Sequence, residues 1–344
     1  MEQAITNTTQ FVLFSCCIPV KGASRSLIVD MQRENMYFIS NELYDLIRTF
    51  KEKSYLDVVS EFDEDSIKNI DEYLDFLSGN QLGFWTNEAE RFPDISMEWD
   101  HPSIITNAII DSRISSRHDW PSIFAQLEAL GCQDIQLRFY DTIAPDELVA
   151  IVKLTENTRI KSLEFIIKYN AEYSKRLLKS IVFDWYRIKT ITLHSAPYTE
   201  VYILRPKENR SGMGNVLFTK QAIDSNQHCG IISEKYFTLN GIRSVSEAKQ
   251  FNSCLNRKIS IDHDGSIKNC PTLPTTYGNI TETTLASVID DRFKEVWFIN
   301  KDQINICQIC EFRYICTDCR AFVDNKFDKP KKCNYDPHTM VWSN

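Results

Sequence analysis

Cys307-Gln308-Ile309-Cys310-Glu311-Phe312-Arg313-Tyr314-Ile315-Cys316-Thr317-Asp318-Cys319 is the stretch whose reading decides this chain. It holds two Cys-x-x-Cys pairs with five residues between them. A thiolate is a soft, strong ligand, and a Cys-x-x-Cys pair grips one metal centre with both sulfurs. Cys254, Cys270 and Cys333 flank the stretch, so seven of the 11 cysteines lie between Cys254 and Cys333. Seven sulfurs exceed the four ligands of one tetrahedral ion and indicate two centres. A zinc ribbon parts its two pairs by roughly 15–20 residues. Tight cysteine runs hold iron–sulfur clusters, with one ligand sometimes serving the neighbouring cluster. The spacing favours iron–sulfur, with structural zinc as the alternative.

The pattern resembles a SPASM domain. Its elements are Cys254, fifteen residues, Cys270 with Gly265 shortly before it, then the two pairs and Cys333. The resemblance implies the C-terminal module of radical S-adenosylmethionine peptide maturases, which carries two auxiliary 4Fe–4S clusters. Carried over by position, Cys307, Cys310, Cys316 and Cys333 hold one cluster. Cys254, Cys270 and Cys319 hold the other. The family has three residues, not two, before the position of Cys319. Many members have an eighth cysteine where this chain has Ala248. That leaves the second cluster an open iron, unless Cys229 in His228-Cys229-Gly230 reaches it.

Lys258–Ile261 and Ser266–Lys268 flank Asp264-Gly265, a hairpin signal. A tight turn there pairs Cys270 with about Ile259. At about 3.3 Å per residue, a straight strand would carry Cys254 out of bonding reach, so the chain must curl back at Cys254.

Composition narrows the classes. The chain has 344 residues, room for two or three domains, and a net charge of −8, which argues against general nucleic-acid binding. The apolar run Phe11–Ile18 has no Lys or Arg before it and does not read as a signal peptide. No segment reads as a membrane span. A cysteine-rich chain without an export signal is expected to be cytoplasmic, with reduced thiols serving as ligands.

Residues 1–95 read as a winged-helix-like domain. Leu27–Met31 and Met36–Ile39 form a hairpin. Ser40 caps a helix with Leu43, Leu46, Ile47 and Phe50 on its apolar face. Ser54 and Asp57 make a capping box for a second helix, and a third ends at Gly79. Leu82–Thr86 returns as a strand. From Ser40 to Ser78, four Lys/Arg face eleven Asp/Glu, a net of −7, the wrong sign for phosphate contact. The element order is similar to PqqD-like domains, which implies that a precursor leader peptide adds as a strand to the sheet edge.

Residues 96–245 alternate strand and helix. The strands are Ile104–Ile110, Ile135–Phe139, Leu163–Ile167 and Ile188–Leu193. The first intervening helix is closed by Gly131. This reads as an α/β partial (βα) barrel resembling radical S-adenosylmethionine enzymes, ahead of a cysteine-rich SPASM domain at 246–344. Yet the Cys-x3-Cys-x2-Cys of that class is missing. The loop Asp111–Asp119 has no thiol, and no glycine occurs between Gly131 and Gly212. The barrel is therefore expected not to cleave S-adenosylmethionine. Cys16-Cys17 reads as strand core, Cys132 as buried, His118 and His194 as surface or packing histidines, and Asp262-His263-Asp264 as a solvated turn. No catalytic residue is singled out.

A SPASM domain behind such a barrel looks like the SPASM protein of grasp-with-spasm peptide-maturation systems. That implies two partners, a ribosomal precursor peptide and an ATP-grasp ligase. The other class of function is a non-catalytic adaptor with structural metal.

Overall fold

A computed structural model describes residues 5–205, 213–237, 239 and 241–343. The chain opens with β1 (Gln10–Leu13) and β2 (Cys17–Val20). A turn parts them, in which the Cys17 N–H donates to the Phe14 carbonyl at 2.8 Å. β3 (Ser26–Asp30) and β4 (Asn35–Ile39) form the expected hairpin, and β2 adds a third antiparallel strand. Helix α1 (Asn41–Phe50) starts at Ser40, whose side chain accepts from the Leu43 N–H. In α2 (Tyr55–Val59) the Ser54–Asp57 capping box is complete in both directions. The end of α3 (Glu64–Gly79) differs from expectation. Gly79 is its last helical residue, and Asn80 caps it, with backbone and side-chain nitrogens both donating to the Phe76 carbonyl. The positive φ of 55° falls on Gln81. A polar pair does here what a glycine was expected to do. β5 (Gly83–Thr86) returns, and its partner is β1.

The strand–helix alternation follows: β6 (Asn107–Ser112), α4 (Trp120–Ala129), β7 (Asp134–Phe139), α5 (Pro145–Lys153), β8 (Ser162–Lys168), α6 (Lys175–Asp184) and β9 (Ile188–His194). β6 starts later than its apolar run because the Ile104 and Ile105 N–H groups are taken by the Leu130 carbonyl. Gly131 does close α4. Its φ is +81°, and a Cβ there would stand 2.8 Å from Ser103 Oγ. Two strands that the sequence reading did not name come next, β10 (Glu200–Leu204) and β11 (Gly214–Phe218). The rest comprises α7 (Gly241–Gln250), β12 (Lys258–Ile261), β13 (Ile267–Lys268), α8 (Asp291–Lys294), β14 (Tyr335–Asp336) and β15 (Val341–Trp342).

These elements make two compact units, each built from separated segments. One comprises Met1–Trp99, Ile232–Ser253 and Ile299–Asn344; the other comprises Asp100–Ile231 and Cys254–Phe298. The second unit is a mixed α/β fold on one eight-stranded sheet, ordered β10-β11-β9-β8-β7-β6-β12-β13. All pairings are parallel except the two outermost. β12 thus lies beside β6 as a continuation of the parallel sheet. The core lies between sheet and helices, with Ile110, Leu137, Phe165 and Ile191 fully buried against Phe124, Leu127 and Val182.

In the first unit, β3 is buried on both faces. Ile28 packs toward Leu43, Ile47, Leu74 and Leu77 of the helices. Leu27 and Val29 pack toward Phe312, Ile315 and Tyr335 of the cysteine-bearing tail. A strand apolar on both sides is what two opposed layers demand. No helix among the described residues is long and apolar enough to cross a membrane.

Candidate metal centres

The tail is positioned by its apolar residues, and its thiols alternate with them. Phe312 and Ile315 sink into the core beneath β3, and Cys310, Cys316 and Cys333 pack against the same cluster. Tight turns bend the chain at Cys310 and Cys316. The Cys310 N–H donates to the Cys307 carbonyl at 3.0 Å, and the Cys316 N–H to the Phe312 carbonyl at 3.0 Å. Just before the first pair, the Cys307 N–H reaches the Asn305 carbonyl at 2.8 Å across Ile306, whose φ is 67° and ψ −44°. That is a γ-turn of the rare, strained hand, on a β-branched residue.

The four thiols that the resemblance groups act on one another. Cys307 feels Cys333, Cys310 feels Cys316 and Cys307, and Cys316 feels Cys333 and Cys307. Burial pushes the Cys307 and Cys316 thiols up to about 12 and raises Cys310 too. Nearby Asp318 pushes Cys307 and Cys316 the same way, while Lys301 opposes it at both and Arg320 at Cys307. Lys301 is buried and donates to the Cys316 carbonyl at 2.7 Å. Arg320 is held by the buried Asp318 at 2.8 Å and by the Asp328 carbonyl at 2.7 Å. Its Nη2 is buried without a hydrogen-bond partner. A cubane cluster on four thiolates carries net negative charge and sulfide acceptors. Two buried cations and a spare guanidinium N–H suit that group. Cys319 is buried in this same unit.

Cys254, Cys270 and Cys229 belong to the sheet unit. Cys254 sits in the turn entering β12, where Arg257 has a φ of 49°, so the chain does curl there. Lys258 Nζ lies 3.5 Å from Cys254 Sγ. The hairpin register departs from expectation by one residue. Ser260 faces Lys268 and Ile261 faces Ile267, and the Asp262 N–H bonds the Ser266 carbonyl. Continued outward, this sets Cys270 opposite Lys258, not Ile259. The loop has three residues, His263 to Gly265, with the left-handed residue at Gly265 (φ 88°).

At the carboxyl ends of β6 and β7, where this sheet type places ligands, a buried network lies close to a cavity of about 150 Å³ lined by Ser112, His118, Phe139 and Asp141. Arg138 holds Asp111 with two bonds of 2.6 and 2.9 Å, and the Tyr140 hydroxyl donates to Asp111 at 2.7 Å. His118 Nε2 bonds the Asp111 carbonyl at 2.8 Å, and burial lowers its basicity. His194 Nδ1 accepts the Ile223 N–H, so Nε2 carries the proton toward the Phe139 carbonyl. Burial lowers its basicity too. Both read as packing histidines. Asp262 is buried in an ion pair with Lys268 at 2.8 Å, so the expected solvated turn is solvated only at its tip.

One gathering escaped the sequence reading. Cys16 Sγ, Cys17 Sγ and an Asp30 carboxylate oxygen lie within 4.8 Å of one another. The signal was the register, since Cys17 faces Asp30 across β2 and β3. Asp30 already accepts from the Gln32 and Arg33 N–H groups and from Arg33 Nη1 at 2.8 Å. Its carboxylate shapes the β3–β4 turn, and the Arg33 charge opposes a cation.

No family model matches the chain, and no curated protein matches it. Among solved structures, SuiB of Streptococcus suis bound to S-adenosylmethionine is similar with a TM-score of 0.41 and 12% identity, over 95% of this chain and 98% of that one. A second crystal structure of SuiB gives a TM-score of 0.39 and 12% identity, over 98% of each chain.

Proposed function

We propose that this chain is a peptide-maturation component of the grasp-with-spasm type, carrying two 4Fe–4S clusters on its C-terminal cysteines. The observation that carries the reading is the common half-buried setting of Cys307, Cys310, Cys316 and Cys333 beside Lys301 and Arg320. Those four residues would hold one cluster. Cys254, Cys270 and Cys319 are assigned to the other by the resemblance. The clusters would supply electron transfer or a Lewis-acidic iron. The chain's own residues bury the thiols, neutralise charge and donate hydrogen bonds.

The N-terminal domain is assigned the precursor peptide. β2 and β4 end its three-stranded sheet, and Pro19 removes a donor from β2, which favours β4 for strand addition. A groove of about 460 Å³ on α1, α2 and α3 is lined by Leu46, Phe62 and Tyr73 together with Glu42, Asp45, Glu61 and Lys53, with Glu61 paired to Lys53 and Asp45 to Lys21. The ATP-grasp partner rests on the resemblance alone.

The sulfur spacing bears on the zinc alternative. Zinc–sulfur bonds of about 2.3 Å set tetrahedral sulfurs about 3.8 Å apart. Among the described residues, no three of the tail's thiols gather within 4.8 Å. A cubane seats each thiolate on a separate iron and spreads them wider.

The test is anaerobic purification. Brown protein with iron and sulfide in equal amounts supports the reading; colourless protein with stoichiometric zinc defeats it in favour of the adaptor. Incubation with S-adenosylmethionine and a reductant should yield no 5′-deoxyadenosine, because the loop Asp111–Asp119 after β6 carries none of the cysteines that would hold the cleaving cluster.

A further inference from the structure

Cys16, Cys17 and Asp30 form a group whose geometry suits another kind of centre. With the two sulfurs and the carboxylate oxygen all within 4.8 Å of one another, a point exists within about 2.8 Å of all three. Zinc–sulfur bonds run about 2.3 Å and zinc–oxygen bonds about 2.0–2.2 Å, so small side-chain rotations close the gap. The strands build this group. The Met31 N–H donates to the Cys16 carbonyl at 3.0 Å, which makes Cys17 and Asp30 a non-hydrogen-bonded pair of the ladder, the kind whose side chains stand closer. The Cys17 N–H, left out of the ladder, closes the turn from Phe14. Cys16 Sγ donates to Gln32 Oε1 at 3.6 Å, so an amide oxygen stands on the fourth side. Asp30 Oδ1 accepts the Gln32 and Arg33 N–H groups, while Oδ2 accepts Arg33 Nη1 and keeps a second lone pair. Cys17 and Asp30 are buried; half-exposed Cys16 and exposed Gln32 open the group to solvent.

We propose that Cys16, Cys17 and Asp30 bind one thiophilic divalent cation of the zinc class, with the Gln32 side-chain oxygen nearest the fourth position. Among the described residues, only here do three such ligand atoms gather within 4.8 Å. The spacing that argues against a single ion in the tail argues for one here. Binding forms two metal–thiolate bonds and one metal–carboxylate bond and passes two thiol protons to water. Two thiolates and a carboxylate carry three negative charges. Arg33 offsets one, and a divalent cation balances the other two. The Arg33 charge, unfavourable to a cation beside neutral thiols, therefore sets the charge that the deprotonated site accepts. Arg33 and the Gln32 N–H also hold the Asp30 carboxylate in place. The ion joins the turn where the chain passes from the β1–β5 sheet to β2 with the end of β3. The site uses none of the thiols assigned to the clusters and is independent of that reading.

The experiment is zinc protection of thiols in anaerobically prepared full-length protein, read residue by residue by tandem mass spectrometry after brief iodoacetamide treatment. Half-exposed Cys16 is the reporter. Saturating zinc should slow its labelling by about tenfold or more, and a chelator should restore it. Magnesium, which avoids thiolates, should have no effect. In Cys17→Ala, zinc should no longer protect Cys16. Wild-type crystals grown with equimolar zinc give a second reading, in which anomalous scattering at the zinc edge should place one ion between Cys16, Cys17 and Asp30. Wild-type Cys16 labelled at the same rate with and without zinc overturns the proposal. Equal protection in Cys17→Ala, or by magnesium, overturns it too. Where Cys17→Ala loses its circular dichroism, the anomalous map decides, and the lack of a peak at these residues overturns the proposal. Iron content, which tests the tail, moves none of these outcomes.

Discussion

Arg25 and Glu311, 286 residues apart in sequence, meet through Nε and Oε1 at 2.7 Å. The Glu311 side chain is fully buried, and the Tyr335 hydroxyl bonds the same oxygen. Arg25 also lies over the Phe38 ring at 3.7 Å. This contact ties the turn before β3 to the residue between Cys310 and Phe312. Removing one partner of a buried pair leaves the other charge uncompensated. Arg25→Ala is expected to cost about 3 kcal/mol in urea denaturation. It should also lower the iron retained after gel filtration. A loss under about 1 kcal/mol would show that the pair does not anchor the tail.

Strain at Ile306 makes a second prediction. A glycine in place of a half-exposed isoleucine ordinarily destabilises through the unfolded chain. Here the isoleucine sits at a φ of 67°. A left-handed backbone costs a non-glycine residue about 1–2 kcal/mol. Ile306→Gly should therefore leave the thermal midpoint unchanged or raise it, while Ile306→Val should bring no gain. A midpoint lowered by Ile306→Gly would contradict this account of the turn.

Lys301 bears on the electronics of the proposed tail cluster. It is buried, with a cation near Cys307 and Cys316. Lys301→Gln keeps a donor for the Cys316 carbonyl and removes the charge. The reduction potential should move to more negative values, since a nearby cation favours the added electron. A redox titration monitored by electron paramagnetic resonance reads the shift, and an unmoved or more positive potential would be inconsistent with that role.

Cys132 supplies a pH dependence. It is fully buried in the sheet unit, and burial pushes its thiol from 9.0 up to about 12. The raised value means that the folded state holds the proton longer than the unfolded chain does. The contribution is whole below pH 9 and is lost as pH rises from 9 to about 12. Cys132→Ala should therefore show a shallower loss of stability between pH 8 and pH 10.5 than wild type, measured as urea midpoints at each pH. Parallel curves would refute it.

The features legible in the sequence are those decided within a few residues. Ser40, Ser54 and Asp57 accept or donate within three positions, so the caps of α1 and α2 follow from composition. The strands β6 to β9 follow from apolar runs at regular spacing. The hairpin register was harder. Asp264-Gly265 fits a two-residue or a three-residue loop, and only the bond from the Asp262 N–H to the Ser266 carbonyl selects the longer one. One residue of slip changes the partner of Cys270 from Ile259 to Lys258, and with it the charge beside the thiol. Neither the gathering at Cys16, Cys17 and Asp30 nor the hydrogen bond between Thr272 and Asn226 has a local signature. Each joins segments distant in the chain.

Sequence alone determined the kinds of candidate ligand and their order, because a thiol's chemistry and the spacing of Cys307, Cys310, Cys316 and Cys319 are written in the chain. Tertiary structure alone decided which sulfurs share a neighbourhood. That depends on Phe312 and Ile315 packing under Leu27 and Val29, and on β2 pairing with β3 to set Cys17 opposite Asp30. Burial and hydrogen bonding act through space, so segments far apart in sequence set the distances on which metal binding depends.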